Sequence, residues 1–558
     1  MQLSRDPRVV TGFLGVLAVL ATGAFYLILR RFLGRAAAFG AALLFALNPQ
    51  AILYSRKLFT ADLIPPLCTL FLGAAVAFLA SSPKRAGKFA TLTAFTFSLL
   101  LLNTFSPILL FPAVGLLFWQ RRRDLRPRDW LRAALALGLP FLPYLIQVAP
   151  GLRSVIASAG GSPAGRLPLM RWIWTLLYGA PWPSNAFSMD GLAAIAIGLL
   201  SLGGIAWLMR AARKPDSAAW AAFFLSWLCL APLLSVVVPI EVREHYLVVL
   251  YPLLFVLPAA GVELAFHRAR WLGWSAVAIL VIAASWQAQI WVNNLGAVAQ
   301  GVEGYGTPLG YWWRAAEHAR DLATEQKAAE ILLLMPGDQP WDEKAHIFDA
   351  LLSDTPHRVV NGHVAIVYPP RAVILVIASE VEDALAFSTP CTQELGGPLQ
   401  ASPFGGTYHY RLWRSDTSTA PVCTSGLQPA SAQWASGARL LGYSVAGRTR
   451  PGETLHVVLH WETTQGPLSE DVHWFNHLLD QQERRWGQFD HAGWPSARWQ
   501  PGDQVMTYFD ITIAPEAEPG PYVLRIGQYT YPAVESIPVV DSAGNAVNDA
   551  VQFPLPTP

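Results

Sequence analysis

Charge is scarce in this sequence. Only 14% of its 558 residues are Asp, Glu, Lys or Arg, while 53% are hydrophobic; soluble domains carry about 25% charged residues. A chain that meets water along its whole length is thereby excluded. The net charge is +2 and no basic tract suggests nucleic acid, so no nucleic-acid partner is expected. Cysteine is rarer still, at four residues, which excludes a disulfide scaffold. Cys68 and Cys229 lie in apolar runs and read as buried thiols. Cys391 and Cys423 lie in the polar half, where export permits a bridge between them. No Cys and His residues stand at metal-ligand spacing, so neither a metal nor another cofactor is expected. Tryptophan, by contrast, is abundant at 22 residues, which fits interfacial anchoring and sugar stacking equally well.

Apolar runs of about 20 residues mark bilayer spans. They fall near 9–30, 36–53, 62–80, 129–149, 189–209, 217–239, 245–266 and 271–292. The stretch 89–119 has Lys84, Arg85 and Lys88 before it and Arg121, Arg122 and Arg123 after it. Basic residues mark the cytoplasmic side, so both ends lie inside and the segment crosses twice. Asn103 to Pro107 supplies the turn, because proline and its predecessor resist helix continuation. Each arm is then short, and a shallow hairpin is expected. Arg30, Arg31, Arg35, Arg210, Arg213, Lys214, His267, Arg268 and Arg270 agree with that orientation. The sum is about ten crossings over 1–292, with the loops 54–61, 150–188 and 240–244 and everything after 292 outside. The N-terminus is outside as well, a parity that is natural where one more helix precedes Met1.

Beyond 292 the apolar runs shorten and charge returns. Helical spacing at 311–323 and 341–353, with apolar strands at 331–335, 372–378 and 407–413, predicts a small α/β domain over 293–413. Residues 414–433, rich in Ser, Thr, Pro and Ala, read as a linker. Over 434–558, strand-like runs at 438–445, 453–462, 473–480, 505–514 and 520–530 alternate with Pro451-Gly452, Pro501-Gly502 and Pro519-Gly520. That rhythm predicts an antiparallel β-sandwich. Trp461, Trp474, Trp486, Trp494 and Trp499 then have two readings, core packing or a carbohydrate-stacking face, and packing is the stronger.

Chemistry at the outer membrane edge needs a carboxylate as proton acceptor and cations for an anionic leaving group. Nine acidic residues precede residue 300. Asp124, Asp129, Asp216 and Glu263 fall on the cytoplasmic side, which leaves Asp6, Asp62, Asp190, Glu241 and Glu244. Asp62 closes the segment from Tyr54 between two spans, and a short interfacial helix there brings Arg56 near it. A solvated loop with a snorkelling Arg56 and a capping Asp62 explains the same residues. Glu241, Arg243, Glu244, His245 and Tyr246 form a second cluster on that side, fit to bind a lipid phosphate or to be an ordinary polar loop. Leu167 to Tyr178 reads as an amphipathic helix lying on the bilayer.

The run Gly34-Arg35, Ala46-Leu47-Asn48-Pro49, Tyr54-Ser55-Arg56 and Asp62 resembles the second to fourth helices of GT-C glycosyltransferases. These include the protein mannosyltransferase-like family 39 and the lipid A aminoarabinose transferases. Arg243, His245 and Tyr246, followed by Tyr251-Pro252, are similar to that family's stretch before a late helix. The resemblance covers residues 5–325 and rests on short motifs. It implies a polytopic, GT-C-like α-helical membrane domain and transfer of a sugar from a polyprenyl-phosphate donor to a glycan, lipid or protein acceptor. The setting it implies is the extracytoplasmic face of the plasma (inner) membrane. Arg56, Asp62, Arg243, His245 and Tyr246 are the positions that match, as donor-phosphate or acceptor residues; Glu241 joins them from the second cluster, and Asp62 is the catalytic candidate on the reading of the residues themselves. The family's Asp-Glu pair in the first external loop has no counterpart before residue 62. Two readings follow: a start that lies upstream, or a non-catalytic, membrane-anchored carbohydrate-binding or assembly protein. Transport is disfavoured because the spans hold almost no charge.

Overall fold

The computed structural model describes residues 6–56, 60–104, 106–143, 169–180, 188–237, 244–298, 308–337, 342–377, 392–395, 399–400, 409–415 and 426–555. They form two compact units, Asp6–Ala297 and Val298–Pro558.

The first unit is helical: α1 (Pro7–Leu29), α2 (Arg35–Leu47), α3 (Pro49–Tyr54), α4 (Ile64–Ala80), α5 (Pro83–Asn103), α6 (Phe111–Gln120), α7 (Pro127–Gly138), α8 (Leu169–Tyr178), α9 (Met189–Ala211), α10 (Pro215–Val237), α11 (Val256–Arg268) and α12 (Arg270–Val298). Proline opens many of them, because its fixed φ suits the first turn and its missing N–H is unneeded there. Among the described residues, six helices are long and apolar enough to cross a membrane. Their outward faces carry Val19, Leu20, Leu199, Leu202 and Trp271 in exposed positions. This is the surface of a multi-pass membrane protein, whose apolar side chains meet lipid as readily as they meet each other. Where α9 and α11 cross, a methyl group on Gly261 would stand 2.0 Å from Leu200 O, and one on Gly204 would stand 1.8 Å from Leu257 O. Only glycine permits that approach.

Two expectations need correction. The segment 89–119 is not a pair of equal short arms. α5 runs 21 residues from Pro83, roughly 30 Å at 1.5 Å per residue, so its length suffices for a full span. The break falls at Thr104, and a 3-10 turn, Ser106–Leu110, leads into the shorter α6. The basic residues that seemed to precede the helix lie within its first two turns. Cys229 is the second correction. It is exposed, on the outward side of α10, whereas Cys68 is buried. Cys391 and Cys423 lie outside the described residues.

The second unit layers two helices and three sheets. Helices α13 (Leu309–Glu325) and α14 (Glu343–Leu351) cover one face of a six-stranded sheet. Strand β1 (Glu330–Met335) pairs in parallel with β2 (His357–Asn361) and β4 (Ala372–Ile377), while β7 (His409–Ser415) is antiparallel to β4. Ala315, Ala319 and Phe348 pack there against Ile331, Leu333, Val373 and Leu375. The other face, through Leu332, Leu334, Ile374 and Val376, shares a core with the sandwich. Strand β3 (Ala365–Tyr368) comes from the same stretch of chain, yet it is the edge of the seven-stranded sandwich sheet, paired with β13 (Gln504–Thr512). The last seven residues of the stretch expected to link the domains fall largely in a strand as well, β8 (Gln428–Trp434).

The expected sandwich strands are present: β9 (Ala438–Ala446), β10 (Thr454–Thr463), β11 (Asp471–Leu479), β13 and β14 (Val523–Tyr531). Strand β11 pairs with β12 (Arg485–Gln488) and β14, and β14 also pairs with β15 (Glu535–Ile537) and β18 (Ala550–Pro554), giving a five-stranded sheet. Trp461, Trp474, Trp494 and Trp499 are each no more than 1% exposed. They fill the core, so they offer no carbohydrate-stacking face. Trp486 is half-buried and donates its indole N–H to Asp480 at 2.8 Å.

A buried ion triad ties the two parts of this unit together. The Arg358 guanidinium, on β2, grips Glu330 of β1 and Asp503 before β13, with 2.8 Å bonds to Glu330 Oε2 and Asp503 Oδ1. It also donates to Arg498 O at 2.8 Å. Asp503 is fully buried and Glu330 is 8% exposed.

Candidate functional site

The 3-10 turn Thr60–Leu63 enters α4 and places Asp62 at the helix base, only 3% exposed. Asp62 borders an open cavity of about 230 Å³ between α1, α2, α3 and the start of α4. The walls are Gly15, Ala18 and Thr22 of α1, Phe45 of α2, Tyr54 of α3 and Pro65 of α4, with Ser55 at the rim. Small residues on α1 leave the space open. Among the described residues of that lining, Asp62 is the single carboxylate and Tyr54 the other ionisable group. A carboxylate in an apolar recess, beside hydroxyl groups, has the chemistry of a proton acceptor.

A second turn, Glu244–Leu250, packs against the Asp62 turn and against α4. Cys68 on α4 and Trp227 on α10 both donate to Val249 O, at 3.6 and 2.9 Å, and hold this turn in place. The turn that carries Asp62 and the turn that carries His245 and Tyr246 are therefore neighbours. His245 and Tyr246 are half-buried, with ring centroids 4.4 Å apart. Arg56 is exposed, in the turn after α3, and is not among the cavity's walls. Glu241 and Arg243 lie outside the described residues.

Sequence reasoning missed the polar clamp beside this site. The last carbonyls of α8 have no partner within the helix. Asn48 Nδ2 donates to Leu176 O and Leu177 O at 3.0 and 3.1 Å. Tyr251 donates to Leu176 O at 2.5 Å. Gln287 Nε2 donates to Leu177 O and Tyr178 O at 3.2 and 2.8 Å. Tyr178 in turn donates to the Asp190 carboxylate, which also accepts from Trp286 Nε1 at 3.1 Å. Asn48, Tyr251 and Gln287 are all fully buried. The clamp fixes the end of the helix expected to lie on the bilayer, whose Arg171 is exposed. The signal in the sequence was a pair of amides within each apolar run, Asn48 and Gln50 in one, Gln287 and Gln289 in the other. An amide buried in hydrocarbon demands a partner, but sequence does not say which one.

These features define a class: a multi-pass helical membrane protein with one recessed carboxylate, continuing into a β-rich unit. No family model matches the sequence, and no curated protein matches it. Among solved structures the chain is similar to ArnT from Cupriavidus metallidurans in the apo state. The identity there is 12%, the coverage 73% of this chain and 84% of that one, and the TM-score 0.41. It is also similar to the same protein bound to undecaprenyl phosphate, at 14% identity, 75% and 85% coverage and a TM-score of 0.40. A third similarity is to the arabinofuranosyltransferase AftD from Mycobacteria, at 14% identity, 96% and 56% coverage and a TM-score of 0.37.

Proposed function

We propose that this chain is a membrane glycosyltransferase that moves a sugar from a polyprenyl-phosphate donor to a cell-envelope acceptor at the extracytoplasmic face. The observation that supports this reading is the convergence of a recessed Asp62 with the turn carrying His245 and Tyr246. The short motifs that resemble those of GT-C enzymes include these two segments, beside Gly34-Arg35 and Ala46-Leu47-Asn48-Pro49.

In this mechanism Asp62 takes the proton of an acceptor hydroxyl while its oxygen bonds to the anomeric carbon. The bond from that carbon to the phosphate oxygen breaks, the anomeric centre inverts, and the polyprenyl phosphate leaves as an anion. Arg56, Arg243 and His245 stabilise the charge that develops on the phosphate, a role suited to cations at a membrane surface. Tyr246 and Glu241 orient the donor or the acceptor. The donor's chain lies in the bilayer, so the reaction needs no nucleotide sugar.

The test uses the purified full chain in proteoliposomes with radiolabelled polyprenyl-phosphate sugars and an envelope extract as acceptor. Asp62→Asn is expected to lower transfer at least a hundredfold, within the range for losing a general base of roughly 10² to 10⁴. Wild-type rates in that variant would remove Asp62 from the mechanism. No transfer by the wild type from any donor would overturn the proposal in favour of a non-catalytic envelope protein.

A further inference from the structure

The five-stranded sheet has two faces, and only one is used by the core. Along β11 the residues Val472, Trp474, Asn476 and Leu478 are buried against the seven-stranded sheet. Their alternates, Asp471, His473, Phe475 and His477, stand on the opposite face, as period-two alternation requires. Register fixes what lies beside them on β14: Tyr531 opposite Asp471, Tyr529 opposite His473, Gly527 opposite Phe475 and Arg525 opposite His477.

These side chains form a row of rings rather than a scatter. The His473 ring stacks on Tyr531, with centroids 4.7 Å apart and planes 14° from parallel. Tyr529 packs on His473 at a tilt, with centroids 5.5 Å apart. Phe475 lies over the backbone of Gly527, where a methyl group would come within 2.1 Å of its ring. His477 follows at 5.0 Å from Phe475. Tyr531, at the open end, is 54% exposed. The row runs from residue 471 to 477, roughly 20 Å at the rise of a strand.

Hydrogen-bonding groups line its edges. Asp471 sits 3.3 Å from His473, Asp490 sits 3.5 Å from His477, and Arg525 donates to Asp549 at 2.7 Å. Three carboxylates, Asp471, Asp490 and Asp549, stand beside the single Arg525 guanidinium, with the His473 and His477 rings as partners of the first two. That acidic balance disfavours an anionic ligand or an anionic lipid surface, and a cation would find each carboxylate already engaged by a neighbouring side chain. A purely apolar partner would strip the remaining water from these carboxylates and the guanidinium, a costly outcome. Flat rings for C–H faces, flanked by planar acceptors and donors for hydroxyl groups, complement a neutral polyhydroxylated chain.

We propose that the outer face of the five-stranded sheet, through His473, Phe475, Tyr529 and Tyr531, binds a neutral glycan. The rings stack on successive sugar residues, while Asp471, Asp490 and Arg525 bond their hydroxyls. This site is separate from the Asp62 cavity, and glycan binding does not depend on the chain being a transferase.

The test is isothermal titration of the full chain in detergent micelles with maltohexaose, cellohexaose, mannohexaose and xylohexaose. At least one is expected to bind, and Tyr531→Ala and Phe475→Leu are each expected to weaken that binding tenfold or more. Tyr531 is exposed, so its variant keeps the fold, as unchanged hydrogen exchange in β11 and β14 will report. Val547→Ala, at an exposed site on another sheet, is expected to leave affinity unchanged. Absence of binding across the four oligosaccharides overturns the proposal, as does binding that neither ring variant alters. Binding that survives in Asp62→Asn, together with loss of transfer, separates this site from the transferase reading.

Discussion

Replacing Arg358 with methionine removes the guanidinium from the ion triad and keeps an apolar stem of comparable length. Two carboxylates then remain buried: Asp503, fully enclosed, and Glu330, 8% exposed. Arg498 O loses its donor as well. Removing one partner of a buried ion pair costs about 3–5 kcal/mol, because the remaining charge is left without compensation. Here one cation serves two anions, so the upper part of that range applies. Domains hold only about 5–15 kcal/mol in total, and the lesion joins β1 and β2 to the segment that precedes β13. Hydrogen exchange of the full chain in detergent micelles reads the effect directly. Amides of β1, β2 and β13 are expected to exchange roughly three orders of magnitude faster or more, at about 1.4 kcal/mol per tenfold change. The variant with Arg358→Met, Glu330→Gln and Asp503→Asn together is expected to recover much of the loss, since uncharged groups no longer need the guanidinium. A loss below about 1 kcal/mol in the single variant, the value of a solvent-exposed pair, would refute the reasoning.

Two further outcomes follow. Gln287→Ala leaves the last carbonyls of α8 short of a donor, at about 1–3 kcal/mol for an unsatisfied buried group; faster exchange over 171–178 checks it, and unchanged protection would show that Gln287 is not part of the clamp. The second concerns pH. Burial lowers both His460 and His491 to about 4, against about 6.5 in an unfolded chain. Between those values the unfolded state binds more protons, so stability is complete above pH 6.5 and falls as pH drops towards 4. At about 1.4 kcal/mol per pKa unit, each of the two rings contributes a few kcal/mol. His460→Gln and His491→Gln together are expected to flatten the pH dependence of exchange in β10 and β11, and an unchanged slope would exclude these two rings.

Much of the element order was legible from residue pattern alone. The strands β9, β10, β11, β13 and β14 fall within a few residues of their expected positions, because alternating burial and Pro/Gly turns are local signals. Asp62 and the 244–250 turn were both legible as candidates. Their mutual packing was not, because it depends on how α4 and α10 hold Val249. The clamp on α8 was missed for the same reason. Asn48 and Gln287 are 239 residues apart by their numbers, and only the folded bundle points both at one helix end.

The two-faced rhythm of β11 shows the division most clearly. Sequence by itself determined that Trp474 and Phe475 lie on opposite faces, since successive side chains of a strand must diverge. It also determined which stretches are apolar enough to cross a bilayer, because hydrocarbon demands a continuous run of such residues. Only tertiary structure decided which face of β11 is packed, that β3 leaves its neighbours to edge a sandwich sheet, and that Asp62 is recessed. Those outcomes depend on pairings between distant segments, and a residue's own chemistry does not specify the partner it will meet.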